Sequence, residues 1–427
     1  MYRIVDSLVQ ALKRIVPARM VQALRPLYHR TLAFFMALSY GFPARKLTVI
    51  GITGTKGKST TADLLFAILR EAGYSTALLS TIRFAANGES KPNLYKMTLP
   101  GRGFAQQFMR QAIAKGCTHL VIEITSESTL NYRHHFLAMD GLIVTNIQRE
   151  HIESHGSFAN YVAAKRTIVE TLARSSKPHH FLVANADIPE TASFLSVPHT
   201  TPLGFSKNEL AALSNTDSSV SFTYADTPFT LPLPGTFNAL NALAAIKMAS
   251  ALGISIEAAQ RGLAKLPGVQ GRVERIDAGQ NFLAVVDYAH TPDSLAALYG
   301  AFSTHRKICV LGNTGGGRDR WKRPEMARIA EEACAEVILT NEDPYDEDPR
   351  AIVDEMAAGA RRKPQIIMDR REAIRYALSQ AKEGDAVLVS GKGTDPYIMG
   401  PRGAKEPWSD ALVVREELER LLAKSSA

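Results

Sequence analysis

Residues 47–69 read LTVIGITGTKGKSTTADLLFAIL, an apolar run that passes through a glycine-bearing turn into a helical pattern. A strand, such a turn and a helix N-terminus together direct backbone N–H groups at an anion, so this segment predicts a polyphosphate-binding loop. Lys58 can reach terminal phosphate oxygens, and the Ser59 hydroxyl can bind Mg²⁺. The loop departs from the common G-x-x-x-x-G-K-[ST] pattern, because Ile52 stands where that pattern has its first glycine. We therefore expect ATP or GTP to be bound by Gly54, Thr55, Lys56, Gly57, Lys58, Ser59 and Thr60.

Length and composition predict a globular protein of two or three domains. The chain has 427 residues, of which 45% are hydrophobic and 22% are charged. Its three cysteines, Cys117, Cys309 and Cys334, show no pairing pattern, so we expect a cytoplasmic location and no cysteine metal site. Charges beyond residue 46 nearly balance, which argues against nucleic acid as a partner. We expect the protein to be a monomer.

Residues 1–46 form a basic, apolar arm. They carry eight Lys and Arg residues against a single acidic residue, and so supply +7 of the net charge of +8. The uncharged run at 31–44 is shorter than the ~20 apolar residues that a membrane-spanning helix needs. Two interpretations stay open, helices packed on the main body or an amphipathic anchor on an anionic membrane surface. The packed arrangement predicts two helices broken near Pro17 or Pro26, the second burying Leu32, Phe35, Met36 and Tyr40.

Beyond residue 46, apolar runs alternate with helical patterns, which predicts an α/β fold with mostly parallel, doubly wound sheets. The runs at 120–124 and 141–145 are typical of buried strands, and the polar stretch near 200–230 predicts short antiparallel strands. Further strands are predicted at 283–286, 307–311, 337–340, 365–368 and 386–389. The proline- and glycine-bearing segment 267–271 marks a domain boundary. We thus predict a short helical arm (1–46), a P-loop ATPase domain (47–268) and a Rossmann-like α/β domain (269–427).

Three side chains that can serve chemistry lie near predicted strand ends or on a helix. Open α/β sheets bind ligands at the carboxyl ends of their strands. Glu123 lies within an apolar strand, where an unpaired carboxylate is costly, so a cation or a hydrogen-bond donor is expected beside it. His151 closes a segment that follows another strand, and Lys165 lies on the inner side of a predicted helix. Each of these residues alone is more often structural, and only their combination indicates a site.

The ordered motifs resemble those of the Mur ligase family, most closely its UDP-N-acetylmuramoyl-tripeptide synthetases. The resemblance spans residues 48 to about 420, and the order of the motifs makes it specific. The motifs are GTKGKST (54–60), IEITSE (122–127), TNIQREHIESHGSFANYVAAK (145–165), LPGTFNALNALAAI (233–246), GRVE (271–274), DYAHTPDSL (287–295), GNTGGGRDRWKRP (312–324) and GKG (391–393).

This resemblance implies an ATP-dependent, ADP-forming amide ligase of peptidoglycan precursor synthesis. ATP phosphorylates the carboxylate of a muropeptide-like acceptor, and the amine of an amino acid then displaces phosphate from the acyl phosphate. The implied cofactors are ATP and Mg²⁺, with Lys58 and a Mg²⁺ on Ser59 neutralising phosphate charge. Glu123 and His151 would hold a second Mg²⁺. In the family the lysine that matches Lys165 carries a carbamate, which would make it N6-carboxylysine, an oxygen ligand for metal.

The motif match also implies roles for other residues. Asn238 and Asn241 would lie near adenine. Residues reaching across from the C-terminal domain would be Arg272, Asp287 and His290, with segment 267–271 as a hinge for closure. The implied acceptor contacts are Thr98, Thr125, Ser126, Asn131 and Arg133. The implied contacts for the amino acid are Asp343, Lys392, Thr394 and Asp395.

Departures from the family pattern bear on the substrates. Glu127 and Glu150 stand where the family has His and Asp. Only 46 residues precede the P-loop strand, too few for the family's UDP-binding domain, so UDP alone should compete poorly with the acceptor. Tyr345 stands where diaminopimelate-adding enzymes have an arginine that pairs with the distal carboxylate. Diaminopimelate is therefore disfavoured, and lysine, another diamine or a different amino acid stays open.

Three other interpretations remain. A folylpolyglutamate-type ligase shares the ATPase core, but the segments MTLP (97–100) and HTP (290–292) are more similar to the tripeptide group. A ligase acting on a lipid-linked wall precursor would give the arm at 1–46 a purpose, through peripheral membrane contact. A non-catalytic nucleotide-binding scaffold is disfavoured, because Lys58 and Glu123 are retained.

Overall fold

The computed structural model describes residues 18–101, 103–150 and 152–425. Two large sheets organise these residues, an eight-stranded sheet within 48–205 and a six-stranded sheet within 274–390. We call them the P-loop sheet and the C-terminal sheet. The predicted α/β fold with mostly parallel sheets is confirmed, and the domain boundary predicted at 268, which lies between the two sheets, stays a prediction.

The P-loop sheet comprises β1 (Thr48–Thr53), β2 (Thr76–Leu79), β3 (Arg83–Ala86), β4 (Glu89–Pro92), β5 (His119–Glu123), β6 (Gly141–Val144), β7 (Phe181–Asn185) and β8 (Thr201–Phe205). Its strand order is β4-β3-β2-β5-β1-β6-β7-β8, parallel from β2 to β8 with β3 and β4 as an antiparallel edge. The register pairs Ile52 with Glu123 and Thr53 with Val144. The phosphate loop and Glu123 therefore leave the sheet at the same edge, where open α/β sheets bind ligands.

The C-terminal sheet comprises β12 (Glu274–Arg275), β13 (Leu283–Asp287), β14 (Lys307–Leu311), β15 (Glu336–Leu339), β16 (Gln365–Ile366) and β17 (Ala386–Ser390). Its order is β12-β13-β17-β14-β15-β16, and only the β12–β13 pair is antiparallel among these strands. Two smaller antiparallel sheets accompany it. They are β9 (Ala211–Asn215) with β10 (Val220–Tyr224) and β11 (Thr227–Leu231), and β18 (Tyr397–Met399) with β19 (Lys405–Pro407).

Helices cover both faces of each large sheet. In the first half these are α1 (Ala18–Ser39), α2 (Lys58–Glu71), α3 (Phe104–Ala114), α4 (Glu127–Leu130), α5 (Ile152–His155), α6 (Phe158–Ala173) and α7 (Pro189–Ala192). They are followed by α8 (Thr236–Ala251), α9 (Ile256–Ala264), α10 (Pro292–Ala301), α11 (Lys322–Ala333), α12 (Pro349–Ala357), α13 (Arg370–Ser379) and α14 (Asp410–Ser425). Single 3-10 turns occupy Pro43–Lys46, Ser193–Ser196, Lys207–Glu209 and Pro401–Gly403. Helices α2, α8 and α9 bury one face of the P-loop sheet, and α3 and α6 bury the other. The C-terminal sheet lies between α10–α12 and α13–α14.

The N-terminal helix α1 differs from the sequence prediction. It continues through Pro26, so no break occurs there. Leu32, Met36 and Tyr40 are partly buried as part of the contact with the body, but the prediction that Phe35 is buried is wrong, because 57% of it is exposed. The other predicted helix lies in residues 1–17, outside the described residues. Of the helices that the structure describes, none combines the length and the apolar character that crossing a bilayer requires.

Two of the cysteines are joined in the structure. Cys309 on β14 and Cys334, at the end of α11, form a disulfide between two buried positions. The sequence showed no such pairing, because the 25-residue separation carries no spacing pattern and the two side chains meet only when α11 packs on the C-terminal sheet. Cys117 is buried and unpaired.

Candidate active site

A cavity of about 670 Å³ lies between the carboxyl edges of the two sheets. Its lining includes residues from every set that the sequence singled out: Gly54, Thr55, Lys56, Gly57, Lys58, Ser59, Thr60, Thr98, Glu123, Thr125, Ser126, Asn131, Arg133, Lys165, Asn238, Asn241, Arg272, Asp287, His290, Asp343 and Asp395. Lys392 lies buried beneath Asp343, and Thr394 lies beside the cavity without lining it. His151 is outside the described residues. One cleft thus collects the predicted nucleotide, acceptor and amino acid residues.

Two glycines shape the phosphate loop. Gly54 has a φ of +145°, and a Cβ atom there would lie 1.9 Å from Oγ1 of Thr145. Gly57 caps α2 with a φ of +78°, and its Cβ atom would lie 2.4 Å from Oδ1 of Asn241. The loop therefore needs glycine at both positions, for backbone conformation and for space. Asn241 packs against the loop itself and also donates to Oδ1 of Asn238 at 3.2 Å.

The Lys58 ammonium folds back onto the phosphate loop. Its Nζ donates to the carbonyl oxygens of Gly54 at 3.0 Å and of Thr55 at 2.9 Å. Burial lowers the pKa of Lys58, and the carboxylates of Glu123 and Glu150 oppose that shift. A polyphosphate in the loop would add the negative charge that a buried lysine lacks, so the site favours an anionic ligand.

Glu123 ends β5 as a fully buried carboxylate. Its Oε1 accepts a hydrogen bond from the Thr81 backbone N–H at 2.8 Å, and its Oε2 accepts one from the Thr81 hydroxyl at 3.0 Å. Thr81 Oγ1 also lies 2.7 Å from Oγ1 of Thr98, one of the predicted acceptor residues. The partner expected for Glu123 is thus a threonine rather than a cation, and it aims the carboxylate into the cavity.

Lys165 is almost fully buried on α6 beneath the phosphate loop. Its Nζ donates to the Gly54 carbonyl at 2.8 Å, lies 3.5 Å from Oγ1 of Thr53, and sits over the Tyr161 ring at 4.9 Å from its centre. Burial lowers the pKa of Lys165 well below its ordinary value, and the neighbouring Lys58 lowers it further. The site therefore favours the neutral amine at this position.

Polar contacts tie the phosphate loop to the segment that follows β13. The Lys56 ammonium is hydrogen-bonded to the Thr291 hydroxyl and lies 3.5 Å from Oε2 of Glu150. Oε1 of the same glutamate lies 3.1 Å from Nε2 of His290. Since Lys56 and Glu150 follow strands of the P-loop sheet and His290 and Thr291 follow β13 of the C-terminal sheet, these contacts connect the two sides of the cleft.

Arg272 and Asp287 enter the cavity from the C-terminal side. The guanidinium of Arg272 stacks over the Tyr288 ring at 4.3 Å from its centre. Asp287 accepts hydrogen bonds from the backbone N–H groups of Val273 at 2.7 Å and Ala289 at 2.6 Å. Burial raises the pKa of Asp287, while Arg272 opposes that shift. Asp287 therefore fixes two backbone segments on the C-terminal side of the cleft, the one before β12 and the one after β13.

The acceptor end of the cavity holds Arg133 and Ser126. Arg133 donates from Nη1 to the Leu99 carbonyl at 2.7 Å, which fixes the guanidinium beside Thr98. Ser126 Oγ lies 3.1 Å from Nε2 of His155, a buried histidine that the sequence analysis did not single out.

The opposite end holds a cluster of alternating charges. Asp343 Oδ1 accepts from Lys392 Nζ at 2.7 Å and from the Met399 N–H at 2.8 Å, and its Oδ2 pairs with Lys96. Lys96 Nζ also lies 3.1 Å from Oδ2 of Asp395. Burial alone would lower the pKa of Lys96, but Asp395 and Asp343 outweigh it and raise that pKa. Lys96 crosses from the β4–α3 segment to reach these carboxylates.

Beside this cluster, Glu342 is 3% exposed and lines the cavity. Its Oε1 accepts from the Thr314 hydroxyl at 2.8 Å, and its buried Oε2 has no hydrogen-bond partner among the described residues. A buried acceptor without a donor is costly, so this atom is suited to meet an N–H group of a ligand.

Comparison with known proteins decides the family. The Mur ligase middle domain profile matches residues 52–249, and the profile described as Mur ligase, glutamate ligase domain matches residues 271–393. The UDP-N-acetylmuramoyl-L-alanyl-D-glutamate–2,6-diaminopimelate ligase of Chlorobaculum tepidum is 36% identical over 419 residues, covering 92% of this chain and 80% of that protein. The chain belongs to the Mur ligase family.

Two further similarities accompany this assignment to the Mur ligases. The UDP-N-acetylmuramyl-tripeptide synthetase of Roseiflexus sp. is 34% identical over 434 residues, covering 94% of this chain and 84% of that protein. A solved structure of a UDP-N-acetylmuramoyl-L-alanyl-D-glutamate–2,6-diaminopimelate ligase is 27% identical with a TM-score of 0.59, covering 88% of this chain and 79% of that chain. This Mur ligase is an ATP-dependent, ADP-forming amide ligase of peptidoglycan precursor synthesis, and it uses ATP and Mg²⁺.

The residues present fit Mg²⁺. Ser59 and Glu123 offer a hydroxyl and a carboxylate in the cavity, and Mg²⁺ prefers such oxygen ligands. Within the described part of the chain, no group of three His, Cys, Asp or Glu residues could hold a metal without help. Mg²⁺ is commonly held by one or two protein ligands together with phosphate and water.

Several functional candidates of this Mur ligase were missed by sequence reasoning. They are Thr81, Lys96, His155, Thr291 and Glu342. A lone threonine, histidine or lysine carries no local signal, and each gains its place from a contact between distant segments. Glu342 begins the segment EDPY, which the motif comparison covers, but only Asp343 and Tyr345 of that segment were predicted to affect substrate binding.

Proposed function

We propose that this Mur ligase activates the carboxylate of a muramoyl-peptide acceptor and joins it to an amino acid with a cationic side chain. The observation that carries the proposal is the single cavity, which has a phosphate loop at its centre, acceptor-side residues at one end and the carboxylate-rich cluster at the other. In the first step an acceptor carboxylate oxygen takes the γ-phosphoryl group of ATP, and ADP leaves. In the second step the amine nitrogen attacks the acyl carbon, phosphate leaves with the bonding electrons, and the amine releases a proton.

The chain's own residues position these groups. Lys58 lies against the loop carbonyls and would turn to the transferred phosphoryl group, where its charge offsets the charge that develops. Ser59 and Glu123, with His151 as a further predicted ligand, would hold Mg²⁺, which would supply positive charge to offset that of the phosphates. Arg133 and Thr98 would orient the acceptor, and the carboxylate cluster would orient the amine. Phosphoryl transfer depends mainly on such positioning and charge neutralisation.

Lys165 is proposed to carry a carbamate, as N6-carboxylysine. Its burial beneath the loop supports this, because only a neutral amine adds CO₂ and burial favours that form. The addition joins the amine nitrogen to the carbon of CO₂ and releases one proton. The resulting anion would replace an amine beside the loop with two oxygen atoms, the ligand type that Mg²⁺ prefers.

The acceptor is proposed to be a muramoyl peptide that ends in a carboxylate. The relatives' names, which specify UDP-N-acetylmuramoyl-L-alanyl-D-glutamate, support this class. Thr125, Ser126, Asn131 and Arg133 line the end of the cavity where the resemblance places the sugar-peptide portion. Both a UDP-linked and a lipid-linked carrier are compatible with these residues, so the acceptor assay includes both.

The amino acid is proposed to be a diamine without a distal carboxylate, such as lysine. The names of the relatives specify 2,6-diaminopimelate, but here Tyr345 stands where the distal carboxylate would need an arginine. Lys96 Nζ pairs with both Asp343 and Asp395, which supports the proposal that these carboxylates can bind an ammonium group. The unpartnered Oε2 of Glu342 adds a further acceptor for a donor on the substrate.

The test measures phosphate release from ATP with pairs of acceptor and amine. The acceptor is supplied in a UDP-linked and in a lipid-linked form. We expect release to require a muramoyl-dipeptide acceptor in one of these forms and to be faster with lysine or ornithine than with diaminopimelate or alanine. Lys58→Ala should abolish release, whereas Lys115→Ala, which removes an exposed pair with Glu89, should not. Phosphate release only with a folate polyglutamate as acceptor would favour the folylpolyglutamate-type ligase. If no pair gave amine-dependent release, the result would favour a non-catalytic nucleotide-binding scaffold.

The carbamate has a separate readout. Protein equilibrated with ¹³C-bicarbonate should show a carbamate carbon resonance that is absent from Lys165→Arg. Lys165→Ala should be nearly inactive and partly rescued by short carboxylates. A parent protein without the resonance at neutral pH, yet fully active, would refute the modification while leaving the ligase function intact.

A monomeric state and a cytoplasmic location stay predictions. Membrane contact through residues 1–46 is a separate proposal, because it depends on the surface of helix α1 rather than on this cavity.

A further inference from the structure

Helix α1 (Ala18–Ser39) lies on the P-loop sheet unit with only one of its faces. Ala37 is fully buried, the Met36 side chain packs over Gly103, and the Phe34 ring meets the Phe136 ring at 5.8 Å between centres. These contacts belong to the last two turns of the helix. They fix the C-terminal end of α1 on the body. The rest of the surface of α1 takes no part in these contacts.

The opposite face of α1 carries large apolar side chains in contact with solvent. They are Leu24, Leu27, Tyr28, Phe35 and Leu38, which are 43–64% exposed. We call these five residues the apolar stripe. Successive members of the stripe are 3, 1, 7 and 3 residues apart, which places them along one side of a helix of 3.6 residues per turn. Such a row of exposed apolar side chains along one side of a helix marks an interaction site rather than scattered exposure.

The charge around the apolar stripe indicates what covers it. Residues 1–46 supply +7 of the protein's net charge of +8, and Arg30 is exposed between Tyr28 and Phe35. In the sequence, residues 1–17 continue the pattern, with apolar residues at positions 4, 8, 12 and 15 and basic ones at 3, 13 and 14. An apolar stripe flanked by Lys and Arg matches a surface that is anionic outside and apolar beneath.

We propose that α1 docks this Mur ligase in the plane of an anionic phospholipid bilayer. The 22-residue helix would lie along the surface with the apolar stripe among the acyl chains and the basic residues at the headgroups. A second copy of the chain is a poorer occupant, since two arms of +7 would repel each other. Nucleic acid offers the charge but no apolar layer.

The experiment is co-sedimentation of the full chain with vesicles. We expect binding to vesicles of phosphatidylglycerol and phosphatidylcholine, little binding to pure phosphatidylcholine, and loss of binding near roughly 0.5 M NaCl, where charge attraction is screened. Leu27→Ser combined with Phe35→Ser should weaken binding by about tenfold or more, because both side chains are removed from the acyl layer. The matched control is Leu412→Ser, which removes an equally exposed leucine (62%) from α14.

Each outcome decides the proposal. Equal binding to neutral and anionic vesicles, or unchanged binding of the double variant, would overturn it. A dimer in light scattering that the double variant dissociates would assign the stripe to a second copy instead. Both substituted residues are exposed and neither lines the cavity. Phosphate release by the variant without vesicles should therefore equal that of the parent and would show that the variant is folded.

Discussion

Replacing Gly57 by alanine tests whether the phosphate loop is shaped by its contact with α8. Gly57 holds a φ of +78°, and a Cβ atom there would lie 2.4 Å from Oδ1 of Asn241. Gly73, just beyond the other end of helix α2, provides the control. It has a φ of +88°, and its Cβ atom would meet no heavy atom within 4 Å. The two substitutions share the backbone strain, and only Gly57→Ala adds the clash.

The expected magnitudes follow from these contacts. Left-handed backbone strain at a residue with a Cβ costs about 1–2 kcal/mol, so both variants should lose that much free energy of unfolding. In Gly57→Ala, Asn241 must move and give up its 3.2 Å hydrogen bond to Asn238, which costs about 1 kcal/mol more. Because the displaced loop and Asn241 both line the nucleotide cavity, the Kd for ATP should rise about tenfold, the equivalent of ~1.4 kcal/mol.

The assay combines urea denaturation with calorimetric titration of ATP. Gly73→Ala should keep the parent Kd while losing stability. Adding Asn241→Ala to Gly57→Ala should recover part of the extra stability loss, since the clashing atom is gone. If Gly57→Ala binds ATP as tightly as Gly73→Ala, the close approach of Asn241 to the loop does not govern nucleotide binding.

Two further predictions concern stability. Arg370 and Asp410 form a buried ion pair with two hydrogen bonds of 2.8 and 2.7 Å, so Arg370→Ala should lower the free energy of unfolding by about 3–5 kcal/mol. Arg350→Ala, which loses only an exposed helical pair, should cost at most about 0.5 kcal/mol by the same urea assay, and equal midpoints would contradict the burial argument. Burial, with the neighbouring His135 acting in the same direction, lowers the pKa of His134 from 6.5 to about 4. The His134 imidazole therefore binds a proton less readily in the folded state than in the unfolded state. The contribution of the neutral His134 to the free energy of unfolding is present above pH 6.5 and should fall by about 3 kcal/mol as the pH drops towards 4. His134→Asn should therefore reduce the dependence of the free energy of unfolding on pH in this range.

Local sequence patterns predicted much of the fold. The strand, glycine turn and helix at 47–69 became β1, the loop and α2, and the strand predicted at 307–311 has the same bounds as β14. The other strands that were predicted with bounds differ from the observed ones by one or two residues at an end. These elements are encoded by apolar periodicity, glycine and side-chain branching within a few residues, which is information that a single segment carries.

The order of the motifs also predicted which residues gather at the site. Strand ends of a parallel sheet share one edge, so loops that follow β1, β5 and β6 were expected to meet. The structure brings most of the predicted residues to one cavity. The pattern does not predict the hydrogen-bond partners of these residues, such as Thr81 for Glu123.

Tertiary structure alone decided the contacts between distant segments. Lys96 meets Asp343 across 247 residues of sequence, Cys309 meets Cys334 only when α11 packs on its sheet, and Phe35 faces solvent because Met36 and Ala37 face the body. Periodicity shows that a helix has an apolar side, but α1 has apolar residues on both sides, and its packing selected one. Such choices depend on the summed fit of whole elements, so no single segment of the sequence specifies them.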